Sequence, residues 1–166
     1  FDAFGIPVKT ISARLYTDEL PTLLRQFHPG KTAPTMRTPD GVVVPETIAI
    51  AEELATRHPD AGLWPTDPKA RAVARVLAAE MHAGFSALRS HCPMNLRVSY
   101  TDCAPPDAVL ADLARLETVW TWARKVTGSQ TPWLTGTYSA ADYNSFIIRE
   151  VAKWAPLVQA AGATAD

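Results

Sequence analysis

An α+β half followed by an all-helical half is the fold class that this sequence predicts. Three observations lead there. Two β-prone runs, "PTMRT" and "GVVVP", flank the turn-forming residues Pro39, Asp40 and Gly41. Strand-like and helix-like patterns mix up to about residue 57, whereas every periodic pattern after residue 68 is helical. Between them lies "HPDAGLWPTDP", whose three prolines and one glycine break both periodicities. It separates a first domain over residues 1–64 from a second over residues 67–166.

The elements follow in order. "FDAF" reads as the tail of a helix stopped by Gly5 and Pro7, and the chain starts without an initiator Met, which implies a preceding segment. Residues 8–15 alternate, with Val8, Thr10, Ser12 and Arg14 on one side and Lys9, Ile11, Ala13 and Leu15 on the other, the pattern of a strand. Thr17, Asp18 and Glu19 start a short helix through Leu20, Leu23, Leu24 and Phe27, ended by "HPG". The two β-prone runs then form an antiparallel hairpin. "ETIAIAEELATR" lines up Ile48, Ala51 or Glu52, and Ala55 beside Ile50 and Leu54, with acids early and Arg57 late, as the helix dipole favours.

In the second half, Asp67 is placed to cap a helix whose first residue is Pro68. "KARAVARVLAAEMHAGFSALRSHC" continues it as one long helix with a small-residue face suited to close helix contact. A second helix over residues 106–127 repeats Val109, Leu113, Leu116, Trp120 and Ala123 and ends at Gly128, giving an antiparallel pair. Ser139 and Asp142 have capping-box spacing for a helix through Phe146, Ile147, Val151 and Trp154. Trp120, Trp122 and Trp133 are expected to pack between helices, and residues 160–166 to fray.

Composition narrows the function. Sixteen basic against seventeen acidic residues leave a net charge of −1, without the basic excess that phosphate-backbone binding requires. No apolar run is long enough to span a bilayer, so a cytoplasmic location is the expectation. Cys92 and Cys103 lack C-x-x-C spacing and read as two reduced thiols. Glu80, His82 and His91 lack metal-ligand spacing, and no Gly-rich phosphate loop occurs, so neither a metal nor a nucleotide is expected.

The order of "GKTAP", "PETIAIAEELA", "GLWPTDPKARA", "AEMHAGFSALRSHCPMNLR" and "YSAAD" resembles that of the glutathione S-transferases, in a bacterial branch of the family. The resemblance runs from about Gly5 to Asp142. It implies a thioredoxin-like first domain, here lacking its first strand and helix, followed by a helical-bundle domain. It also implies glutathione as co-substrate, a small hydrophobic electrophile as second substrate, a role in detoxification and a homodimer in contact at the start of the first long helix. The reaction would be thiolate addition or substitution. A glutathione-dependent isomerase or peroxidase on the same fold is the enzymatic alternative, and a non-catalytic interaction module is the other.

The resemblance assigns residues. Pro34 would be cis and would turn Ala33 so that its N–H and C=O pair with the cysteinyl backbone of glutathione; an ordinary trans proline at a strand start is the other reading. The start of the following helix would seat the γ-glutamyl carboxylate, with Thr47 donating a hydroxyl and Glu46 meeting the ammonium group. Both residues also suit plain helix capping. Lys31 would take the glycyl carboxylate or simply be solvated. Met81, His82 and Phe85 would line the electrophile pocket or pack in a core or dimer contact. The family's thiol-activating Ser, Cys or Tyr falls before Phe1, and Ser12 and Tyr16 come too late in the pattern, so no catalytic residue is assigned. After Asp142 the chain is shorter than the helices the family usually adds.

Overall fold

Gly5 sits in the left-handed region at φ 61° and closes a single 3-10 turn, Asp2–Phe4, by donating its N–H to the Asp2 carbonyl. This places Ile6 in the interior of the first of two units. The computed structural model describes residues 1–14, 16–92 and 104–144, and the chain divides into Phe1–Leu63 and Trp64–Asp166.

In the first unit, helix α1 spans Glu19–Leu24 and runs on as a 3-10 turn, Arg25–Phe27. Its start differs in detail from expectation. Asp18 holds the capping position without a side-chain bond, while the Thr17 hydroxyl accepts from the Glu19 N–H and donates to the Arg14 carbonyl. Strands β1 (Thr35–Arg37) and β2 (Val43–Pro45) form an antiparallel hairpin pairing Thr35 with Pro45, Met36 with Val44 and Arg37 with Val43. The turn is fixed by Thr38. Its carbonyl accepts from the Gly41 N–H at 2.9 Å, and its hydroxyl accepts from the Val42 N–H at 3.0 Å. Gly41, at φ 89°, takes a conformation that side chains rarely adopt.

Helix α2 (Thr47–Arg57) buries Ile50, Ala51 and Leu54. Ile50 and Leu54 cluster with Ile6 and Leu63, and Phe4, Met36 and Val44 pack against them. Arg57, at the far end of α2, pairs with Asp40 in the hairpin turn at 2.8 Å. The Asp40 carboxyl is held below its ordinary pKa, first by the Thr38 hydroxyl and then by backbone hydrogen bonding and Arg57.

The strand expected over residues 8–15 is not formed: residues 8–14 have no regular structure, and Val8 and Ile11 are about half exposed. Alternation and β-branching mark a segment that suits a pleated surface, but a strand is stabilised by cross-strand bonds and side-chain pairs. Among the described residues the sheet consists of β1 and β2 alone, and neither pairs with this segment.

In the second unit, Asp67 caps α3 (Pro68–Ala83), its carboxylate accepting from the Ala70 N–H at 2.7 Å, with Pro68 at the first helical position. The single long helix expected here is two. Gly84 and Phe85 break it, and α4 spans Ser86–His91. Phe85 adopts φ 57° and is buried against Met81, Leu88, Val109 and Leu116, so burial of its ring outweighs continuation of the helix.

Helix α5 (Asp107–Thr127) ends at left-handed Gly128. Glu80 meets Arg115 at 2.6 and 3.1 Å, while the later Leu88 N–H meets the earlier Asp112 at 2.9 Å, so the two stretches run antiparallel. The alanine face of α3 contributes Ala74 and Ala78 at 0 % exposure, and α3 packs against α5 and α6 (Ala140–Asn144). Each Leu or Val buried in this interior contributes about 1.5–3 kcal/mol relative to exposure.

The start of α6 is the expected capping box: Asp142 accepts from both the N–H and the hydroxyl of Ser139 at 2.9 Å. Its expected continuation through Trp154, like Cys103, lies outside the described residues. Of the three tryptophans, Trp120 packs on the core, whereas Trp122 and Trp133 stay more than a third exposed, Trp133 meeting Tyr138 edge-on at 5.1 Å.

Candidate functional site

The pairing of Thr35 with Pro45 has a direct geometric result: the residues before β1 and those after β2 leave the hairpin at the same end. Ala33 and Pro34 stand on one side of that end, Glu46 and Thr47 on the other. The sequence-predicted residues of the first unit are thus brought together by the register of a three-residue ladder.

The turn leading into β1 is closely held. The Gly30 N–H donates to the Phe27 carbonyl at 2.7 Å, and the Thr35 hydroxyl donates to the Thr32 carbonyl at 2.6 Å. A side chain at Gly30 would put a Cβ 2.8 Å from the Thr35 side chain and 3.0 Å from the Phe27 carbonyl oxygen, so glycine alone permits this approach. The Ala33–Pro34 peptide is cis, as is His28–Pro29. Among the described residues no hydrogen bond engages the amide or carbonyl of Ala33, and the residue is exposed. It is an open edge next to a sheet. Lys31 is exposed in the same turn.

On the other side, Glu46 occupies the capping position of α2 at φ 74°, ψ 123°, a backbone region that non-glycine residues seldom enter. It is exposed, and its side chain makes no capping bond. The first-turn N–H groups of α2, beginning with Thr47, therefore keep their donor capacity and the positive end of the helix dipole. An open peptide edge and a helix N-terminus at one end of one hairpin can hold an extended, peptide-like anion.

The remaining predicted residues lie in the second unit. Met81 and Phe85 are 6 % and 7 % exposed and join the same core cluster, while His82 is exposed. Met81 and Phe85 also line a cavity of about 10 Å³, space for one water, together with Leu77, Leu116, Val119 and Trp120. Among the described residues no group of three His, Cys, Asp or Glu side chains could hold a metal ion, and no helix is long and apolar enough to cross a membrane.

Residues 2–57, which contain the whole hairpin-end site, match the family model described as the N-terminal domain of glutathione S-transferase. Over these residues, about a third of the chain, the sequence resembles the glutathione S-transferase N-terminal domain. The fold agrees: a glutathione transferase homologue from Sulfitobacter, solved with bound glutathione, superposes with a TM-score of 0.59. The match covers 90 % of this chain and 73 % of that one at 22 % identity. A probable maleylacetoacetate isomerase from Caenorhabditis elegans is 36 % identical over 76 residues, 46 % of this chain. The matched stretch spans about a third of that relative's length, 35 %.

Within this matched stretch the architecture is thioredoxin-like, and the region after it is helical. Two side chains beside the turn have no sequence motif to announce them. The Arg37 guanidinium lies 4.4 Å from the centre of the Phe27 ring and donates to the Gln26 carbonyl. An arginine closing a short strand is unremarkable in sequence, and only the fold reveals what it reaches.

Proposed function

We propose that the chain binds glutathione at the hairpin end and belongs to an enzyme that uses the glutathione thiol on a hydrophobic electrophile. The supporting observation is that the open Ala33 edge and the α2 N-terminus leave one end of one hairpin, inside the stretch that matches the family's N-terminal domain. In this reading Ala33 exchanges two backbone hydrogen bonds with the cysteinyl residue, and Pro34 ends the edge. The γ-glutamyl carboxylate lies on the α2 N-terminus beside the Thr47 hydroxyl, the Glu46 carboxylate meets the ammonium group, and Lys31 meets the glycyl carboxylate.

Each such backbone bond contributes about 0.5–1.5 kcal/mol and the dipole about 0.3–1 kcal/mol, so affinity is shared among several contacts. An electrophile subsite is proposed at the exposed His82, while Met81 and Phe85 pack in the core. Thiol activation is assigned to none of these residues. Homodimerisation is part of the proposal, supported by an exposed stripe of Ala72, Val76, Ala79 and Ala83 on α3, small enough for close packing against a second copy.

The similarity to a probable maleylacetoacetate isomerase favours a second reaction on the same site. Glutathione would add to a conjugated double bond of a small unsaturated acid, the C–C bond would rotate, and elimination would return the thiol unchanged.

The test is to offer glutathione with a chloronitroaromatic and, separately, with a cis-unsaturated diacid. Release of chloride with a new thioether supports conjugation, whereas cis–trans conversion without glutathione consumption supports isomerisation. Glutathione binding without either turnover points to the interaction module, and no binding contradicts the proposal.

A further inference from the structure

We infer that Arg37 is a positioning residue for the glutathione site, holding the turn of residues 30–34 in the shape that presents Ala33. This inference rests on the proposed function for its ligand and on the structure for its mechanics.

The turn carries Lys31, Ala33 and Pro34 and is anchored at both ends. At the far end it enters β1 through Thr35. At the near end it leaves the 3-10 turn Arg25–Phe27, a short element with no buried residue to fix it. Arg37, two residues into β1 from Thr35 and paired with Val43, reaches back across this gap. Its guanidinium donates to the Gln26 carbonyl and covers the Phe27 ring at 4.4 Å from the centroid.

Those are two different interactions on adjacent residues, and the geometry suits a planar, multiply donating cation. The Phe27 carbonyl is in turn the acceptor for the Gly30 N–H at 2.7 Å. A continuous path of contacts therefore runs from the paired strand through Arg37 to Phe27 and on to Gly30, the residue whose close approach to Thr35 shapes the turn.

An ordered turn lowers the entropic cost of capturing an extended ligand along Ala33. Without the Arg37 clamp the near end loses both of these contacts, and the turn opens more often while the hairpin and α2 keep their own contacts. Arg37 is exposed and distant in sequence from the Ile50 and Leu54 core, so its loss leaves the fold standing.

The experiment measures amide hydrogen exchange of the ligand-free protein and glutathione affinity by calorimetry, for the unchanged protein, Arg37→Ala, Arg37→Lys and Phe27→Leu. Arg37→Ala is expected to speed exchange at Gly30, whose N–H is bonded to the Phe27 carbonyl, by about tenfold, with α2 amides within about twofold. Glutathione affinity is expected to fall about three- to tenfold, and in turnover the loss is expected in KM for glutathione with kcat within about twofold. Arg37→Lys, which keeps a donor and the charge, is expected to restore part of both effects, and Phe27→Leu to reproduce part of the loss.

Unchanged exchange at Gly30 overturns the inference whatever happens to affinity. Exchange that rises equally in α2 overturns it too, because Arg37 would then be a general stabiliser. If the unchanged protein does not bind glutathione, the proposed function fails, and the exchange data still decide whether Arg37 holds the turn.

Discussion

Asp142 shows opposing effects at a single residue. Burial pushes its carboxyl above the ordinary aspartate pKa, while the Ser139 hydroxyl and several backbone N–H groups pull it down, and burial prevails. A group whose pKa is higher folded than unfolded stabilises the fold fully below its unfolded pKa, and that contribution is lost as pH rises through the folded value. Denaturant unfolding is therefore expected to show stability falling across that window, and Asp142→Asn is expected to flatten the slope. Asp142→Ala removes the acceptor of two bonds at the α6 cap and is expected to cost about 1–2 kcal/mol. The Ser139 and Asp142 pairing was legible in sequence because a capping box is a local code of fixed spacing. Phe85 was not, since its left-handed backbone is dictated by burial against α5, a non-local effect.

At the level of elements, local chemistry and long-range partnership separate cleanly. The hairpin turn, the Asp67 cap and the Gly128 stop were readable because each is specified within four residues. Residues 8–15 alternate like a strand, but strand identity depends on a neighbouring strand, which alternation alone does not supply, and residues 8–14 form none. The continuous helix over residues 69–92 was misread for the complementary reason: one glycine inside a helical pattern is usually tolerated, yet here Gly84 ends α3. A Cβ at Gly84 would lie 2.8 Å from the Glu80 carbonyl oxygen, a rigid backbone atom. Gly84→Ala is accordingly expected to destabilise the protein by about 1–2 kcal/mol in denaturant unfolding, through strain at the α3–α4 break.

For the whole molecule, the division into a mixed first unit and a helical second unit followed from a change in periodicity, and the likeness to glutathione S-transferases from the order of short motifs. Assembly belongs to this scale. The exposed α3 stripe centred on Val76 is the proposed face of a homodimer, so Val76→Arg is expected to halve the mass seen by light scattering without loss of helicity; an unchanged mass would contradict a dimer through this face. The central claim is that one end of the β1–β2 hairpin receives glutathione. Calorimetric titration of glutathione into the unchanged protein and into Glu46→Ala tests it most directly. The account predicts saturable binding at one site per chain, weakened about tenfold or more when the Glu46 carboxylate is removed. Absence of binding, or equal affinity in the two proteins, would contradict it.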